Sequence, residues 1–135
     1  MIRTVRKQDL PALLTIDAQA APKTRYGIQE LAGLLVRFRR TFLVMEEEEA
    51  VIGYIVFYPG GHLISLAVAA SHRRRGVGGA LVQEAARRCA PAPLWLEVRQ
   101  SNRAARSFYR SVGFGQRGVH AGYYPNGEDA LILQR

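Results

Sequence analysis

Two hydrophobic periodicities take turns along the chain. Residues 2–5, bounded by Ile2 and Val5, read as a short first strand. From Asp9, an N-cap candidate, Leu10, Leu13, Leu14 and Ala18 recur at helical spacing, with Pro11 tolerated in the first turn. Residues 28–38 repeat that pattern, with Leu31, Leu34, Leu35 and Phe38 on one side. The period then shortens. Residues 41–45 and 51–58 are β-branched and aromatic runs on either side of an acidic turn, which predicts a hairpin. Pro59-Gly60-Gly61 makes the next turn and residues 62–68 the next strand. Residues 76–90 return to the helical period, with Val77, Ala80, Leu81, Ala85 and Cys89 on the apolar side. Residues 94–98 predict a strand, 102–111 a helix opened by Asn102, and 113–122 and 129–133 two closing strands. Hairpins first, then strands alternating with helices, predict an α/β (α+β) sandwich: a mixed, mostly antiparallel sheet of about seven strands flanked by about four helices.

Length and composition narrow the picture. The 135 residues suffice for one domain with a hydrophobic core, and no linker or repeat divides them, so 1–135 is expected to be a single domain. The apolar runs are too short for a membrane span, and the first residues lack the apolar stretch of a signal peptide; a cytoplasmic location is the expectation. A lone Cys89 forms no internal disulfide, and no metal-ligand spacing occurs, so no metal is expected. The net charge is +8, and seventeen of the nineteen basic residues are arginine. Arginine grips phosphates and carboxylates bidentately, which suits a polyanionic ligand, although it also serves as a general soluble cation. The acidic run Glu46–Glu49 has no ligand spacing and reads as a solvated turn.

The densest chemical signal is Arg73-Arg74-Arg75-Gly76-Val77-Gly78-Gly79-Ala80, between a strand and an amphipathic helix. A helix N-terminus offers unpaired N–H donors and partial positive charge to an anion. Glycines at 76, 78 and 79 are expected to let the backbone approach a pyrophosphate, and the arginines to add charge-assisted bonds. The run lacks the Lys-Ser/Thr ending of a P-loop and the spacing of a dinucleotide-binding turn.

Arg73-x-x-Gly76-x-Gly78 after Leu66-Ala67-Val68 resembles the coenzyme A motif of the GNAT acetyltransferases. The resemblance implies the GNAT fold and acetyl-CoA as cofactor. It places the pantetheine arm and thioester oxygen on the bulged strand at Leu66, Ala67 and Val68, and the pyrophosphate on Arg73, Arg74, Arg75, Gly76, Val77, Gly78 and Gly79. Residues 94–114 carry Leu94-Trp95-Leu96-Glu97-Val98-Arg99-x-Ser101-Asn102-x-x-Ala105, then Phe108-Tyr109-x-Ser111-x-Gly113-Phe114. Together with Tyr123-Tyr124-Pro125 and Glu128-Asp129-Ala130, they resemble the bacterial ribosomal-protein alanine N-acetyltransferases of the RimI type. That likeness spans roughly residues 63 to 133. It implies coenzyme binding by Asn102 and Tyr109, a general acid at Tyr109, and closure of Tyr123 and Tyr124 over a peptide N-terminus. The stretch 20–26, ending at Tyr26, stands where those enzymes carry a peptide-gripping Phe-Pro-Trp-like segment, which this chain lacks; Tyr26 is the substrate-binding candidate there.

The residues also argue for themselves. Alternation puts Leu94, Leu96 and Val98 on one face of their strand and Trp95, Glu97 and Arg99 on the other. A carboxylate in the middle of an apolar strand needs a partner or a task. Either it pairs with Arg99 or it acts as a general base, the role the family's glutamate implies; His120 is the other candidate base. A peptide α-amine, with a pKa of roughly 8, needs only a weak base working through water. Tyr109 lies seven residues after Asn102, on the same helix face, and a phenol can return a proton to a thiolate. The backbone N–H of Val68 is the candidate oxyanion donor.

Three functions fit these features. The first is transfer of acetyl from acetyl-CoA to a protein N-terminal amine, a ribosomal protein being one candidate partner. The second keeps the chemistry with a small amine as acceptor. The third, a non-catalytic basic module for RNA or the ribosome, draws on charge alone and leaves Glu97 and Tyr109 without a purpose. Oligomeric state is not legible, although an edge strand near the C-terminus is available for pairing.

Overall fold

The computed structural model describes residues 1–20 and 26–135. Along them run β1 (Ile2–Thr4), α1 (Leu10–Ala20), α2 (Ile28–Arg37), β2 (Phe42–Glu47), β3 (Ala50–Phe57) and β4 (Leu63–Val68). There follow α3 (Val77–Cys89), β5 (Trp95–Arg99), α4 (Arg103–Ser111), β6 (Gly115–His120) and β7 (Ala130–Gln134). The expected mixed α/β architecture is therefore present, with four helices and seven strands among the described residues.

The strands form two antiparallel sheets, ordered β1-β2-β3-β4 and β5-β7-β6. One parallel bridge, His62 to Trp95, joins them. Past that bridge β4 and β5 share no ladder, so the two sheets open into a V. The vertex requires a glycine: Gly61 has φ +106°, and a Cβ there would lie 2.0 Å from the Pro93 carbonyl oxygen. Its own carbonyl accepts a 2.9 Å bond from the Trp95 N–H, fixing the start of β4 against the start of β5.

Apolar layers cover both faces. Leu13, Ile16 and Leu31 of α1 and α2 pack with Phe42, Val44, Tyr54 and Val56 on one side. Val77, Leu81, Val82, Ala85 and Cys89 of α3 pack with Ile55, Phe57, Leu96, Val98 and Leu133 on the other. Cys89 is accordingly a small core residue, and burial pushes its thiol up.

Three local expectations are corrected. Asp9 does not cap α1: its carboxylate turns back to accept from the Arg6 N–H at 2.7 Å and pairs with Arg3 at 2.9 Å, because Arg3 on β1 reaches it across the turn. The buried side of α1 is Leu13, Ile16 and Asp17 rather than Leu14 and Ala18. Asp17 is admitted because the fully buried Tyr54 hydroxyl donates to it at 2.8 Å. The acidic turn is a two-residue hairpin with Glu48 at φ 52° and Glu49 at φ 65°, but Glu46 is tied to Arg3 at 2.7 Å.

Candidate active site

The opening of the V leaves one edge of β4 bare, and ladder geometry says which groups it presents. The Ala69 N–H donates to the Ile52 carbonyl at 2.8 Å, and the register pairs Val68 with Gly53, Ala67 with Tyr54 and Leu66 with Ile55. Antiparallel strands alternate hydrogen-bonded and non-hydrogen-bonded pairs. Ala67 therefore bonds inward to β3, while the N–H and C=O of Leu66 and Val68 point out into the gap. The Val68 carbonyl meets Arg73 Nε there at 3.4 Å. The expected bulge is on β4: it falls between Leu63 and Ser65, opposite Phe57 and Val56, just before the Leu66–Val68 segment.

A cleft of about 350 Å³ lies along this edge, lined by Ala20, Leu66, Ala67, Val68, Arg73, Ala104, Ala105, Phe108 and Tyr109. Ala104, Ala105 and Phe108 come from one face of α4, whose spacing turns Arg103, Arg106 and Arg110 to the opposite side. Tyr109 sits edge-on between Phe108 (5.1 Å) and Phe114 (5.3 Å), and burial pushes its phenol up to about 12. It is held protonated at neutral pH.

The N-terminus of α3 abuts the same cleft. Gly76 takes φ +81° and ψ 7° to open the helix, and no side chain caps the first turn. Its leading N–H groups are thus left for an outside acceptor. Arg73, Arg74 and Arg75 are exposed beside it and form no ion pair among the described residues. Gly78 also has a packing task. A Cβ at Gly78 would stand 2.8 Å from Phe108 Cζ and 2.9 Å from Cε1, with Val68 Cγ2 at 3.7 Å. Its missing side chain makes room for α4, because α3 and the cleft wall are packed that closely. Val77 is buried in the core and offers only its backbone.

Glu97 occupies the β5 arm of the V. The predicted alternation holds, with Leu94, Leu96 and Val98 buried and Trp95, Glu97 and Arg99 half-buried on the other face. Glu97 does not pair with Arg99. It bonds His62 Nε2 through Oε1 at 2.7 Å, across the vertex of the V. Arg99 is drawn off by the β6–β7 connection, holding Glu128 at 3.1 Å and stacking on Tyr124. Tyr124 lies within the field of Glu97: burial first, and that charge among others, push its phenol up, against the opposing pull of Arg99. Tyr123 is more exposed and meets Tyr124 edge-on at 5.0 Å and His120 at 4.8 Å.

The remaining candidates stand apart from the cleft. Asn102 caps α4, its side chain accepting from the Ala105 N–H at 3.1 Å. His120 is exposed near the end of β6. Tyr26 lines a separate cavity of about 430 Å³ with Leu14, Thr15, Ala18 and Gly27, where burial and the Asp17 charge push its phenol up. Residues 21–25 of the divergent stretch lie outside the described residues. His62 was missed; its signal was a histidine entering an otherwise apolar strand after a Gly-Gly turn.

The comparisons agree with this geometry. An N-alpha-acetyltransferase of Sulfurisphaera tokodaii is 30% identical over 151 residues, covering 98% of this chain and 90% of the relative. The [ribosomal protein bS18]-alanine N-acetyltransferase of Escherichia coli is 39% identical over 77 residues, spanning 53% of this chain and 52% of that one. The crystal structure of Ard1 from Thermoplasma volcanium superposes with a TM-score of 0.84 at 27% identity, covering 100% of this chain and 95% of the other. The profile of the Acetyltransferase (GNAT) family matches residues 8–114, most of the chain and every element from α1 to α4. With a bare strand edge and a half-buried tyrosine lining one cleft beside an uncapped helix N-terminus, the chain belongs to the GNAT acetyltransferase family.

Proposed function

We propose that this chain works as a single-domain N-acetyltransferase that moves acetyl from acetyl-CoA to the N-terminal α-amine of a protein. The observation that carries the reading is the cleft, where the outward-facing Leu66 and Val68 backbone and Tyr109 converge beside the α3 N-terminus. The cleft suits the coenzyme. Its apolar walls accommodate a pantetheine arm, the outward groups of β4 match that arm's amides, and the arginine-flanked helix start matches phosphate. Leu66, Ala67 and Val68 hold the arm; Arg73, Arg74, Arg75 and the backbone of Gly76, Val77, Gly78 and Gly79 hold the pyrophosphate. Asn102 keeps the coenzyme face of α4 in register through its cap.

Acetyl-CoA supplies a thioester carbonyl for attack and a thiolate to leave. The Val68 N–H points into the cleft and donates to the carbonyl oxygen as negative charge grows on it, a contribution of about 3 kcal/mol for one such donor. Glu97 takes the proton from the attacking amine, directly or through a water. Tyr109 gives its proton to the sulfur as the carbon–sulfur bond breaks. Tyr124, held by Arg99, and its neighbour Tyr123 cover the acceptor N-terminus, and Tyr26, in the cavity beside α1, is the substrate-binding residue of the divergent stretch. The S. tokodaii and E. coli relatives support a protein α-amine as acceptor, and the latter supports a ribosomal protein within that class. The test is thiol release from acetyl-CoA with short peptides of varied first residue beside simple amines. Release that needs a free peptide N-terminus and discriminates among first residues is expected; turnover with small amines alone overturns the acceptor assignment.

A further inference from the structure

Glu97 is built into a pair that a lone catalytic carboxylate does not need. His62 immediately precedes β4, just past the Gly61 turn, and its Nε2 reaches Glu97 Oε1 at 2.7 Å. A carboxylate only accepts, so Nε2 carries the hydrogen and donates it. The imidazole is itself fixed. It lies parallel to the Trp95 ring at 3.9 Å and 6°, with the Tyr58 ring stacked behind it at 5.9 Å and 10°. Tyr58 is steadied in turn by Arg37, whose Nη2 bonds its hydroxyl at 2.8 Å, and by Phe38 edge-on at 4.8 Å. The His62 carbonyl accepts from the Tyr58 N–H at 2.8 Å, so backbone and ring are both held.

We infer that His62 is the positioning residue of the catalytic base: clamped between Tyr58 and Trp95, it anchors one oxygen of Glu97 and leaves the other for the acceptor amine. The inference rests on the reading of Glu97 as that base. An unanchored carboxylate on a strand samples several rotamers, and only some present an oxygen to the amine; misplacing a catalytic group by about 1 Å costs on the order of a hundredfold. The titratable and charged groups around the pair are Tyr58 on the stacked side, Arg37 behind Tyr58, and Tyr124 and Arg99 toward the β6–β7 connection.

The experiment compares kcat, KM for acetyl-CoA and the pH dependence of kcat/KM for wild type, His62→Phe, His62→Gln, Glu97→Gln and the double variant His62→Phe/Glu97→Gln. Phenylalanine keeps a ring between Tyr58 and Trp95 but donates nothing; glutamine restores an N–H donor. His62→Phe is expected to lower kcat about tenfold and leave KM for acetyl-CoA within about twofold. His62→Gln is expected to recover most of that loss, and the double variant to be no slower than Glu97→Gln alone. Wild-type kcat in His62→Phe, alongside a crippled Glu97→Gln, overturns the role of His62 and leaves Glu97 standing. An equal tenfold loss in the Glu97→Gln background also overturns it, since His62 then acts without Glu97. Full activity and an unchanged profile in Glu97→Gln remove the base reading itself.

Discussion

Arg99 stands over the ring of Tyr124, its guanidinium carbon 3.9 Å from the ring centroid, while Nη1 holds Glu128 at 3.1 Å. The Glu128 carboxylate also accepts from the Ser101 N–H at 2.8 Å, closing a knot between the end of β5 and the β6–β7 connection. Arg99→Met keeps a long apolar side chain and removes both polar ties. Peptide KM is expected to rise about tenfold, in line with a partly desolvated cation–π contact and its ion pair, while KM for acetyl-CoA stays unchanged. A parallel rise in both constants would mean that the knot supports the fold as a whole instead of the acceptor side.

Tyr109→Phe should lower kcat by about a hundredfold and leave acetyl-CoA affinity within about twofold, since the ring and its packing remain. With its phenol pushed up to about 12 by burial, the wild-type enzyme should show no basic limb from Tyr109 up to pH 10. Single-turnover kinetics over pH 6–10 checks both expectations. A variant with wild-type kcat would hand thiolate protonation to solvent.

Gly78 is a packing glycine, so Gly78→Ala is expected to destabilise the protein by about 1–3 kcal/mol through contact with the Phe108 ring. Thermal melting of Gly78→Ala and of Gly78→Ala/Phe108→Leu tests it, the second recovering much of the loss. Gly76→Ala has open space around its Cβ but needs φ +81°. It should cost about 1 kcal/mol and weaken coenzyme binding by distorting the start of α3. Binding loss in Gly78→Ala at temperatures where it is fully folded would mean that the added methyl disturbs the phosphate cradle as well as the packing.

The Arg3–Asp9 pair gives a pH dependence with a definite sign. Burial pushes the Asp9 carboxyl up, but the hydrogen bonds from Arg3 and the Arg6 N–H, with the Arg3 charge, outweigh it and hold the carboxyl below its ordinary value. A folded-state value below the unfolded one adds stability at pH above the unfolded value of about 3.9, lost as pH falls through the folded value. Asp9→Asn should therefore be less stable than wild type at pH 7, with the gap closing below pH 4. Arg3→Met, which strands a buried carboxylate, should cost about 3 kcal/mol at neutral pH. Urea melts at pH 7 and pH 3 measure both.

Much of this molecule was legible because its signals are local. Strand alternation put Glu97 on the face opposite Leu96 and Val98, and Asn102 announced its own cap, since both depend on neighbours within a few residues. Partner choice was not local. Arg99 sits two residues from Glu97 in sequence, yet the Glu128 carboxylate arrives from 29 residues away and takes it. The packing of Gly78 against Phe108 was hidden, because a glycine before a helix looks the same whether it spares room for a ligand or for a ring.

The sequence by itself determined the order and kind of the elements, the family, and the residues from which a site could be made, because hydrophobic period, turn chemistry and motif spacing are properties of short stretches of chain. Only the tertiary structure decided that Leu66 and Val68 face the gap, that the phenol of Tyr109 is buried beside it, and that His62 closes on Glu97 across 35 residues. Those facts depend on how two sheets part at Gly61, where a carbonyl 2.0 Å from a would-be Cβ leaves space for nothing larger than hydrogen.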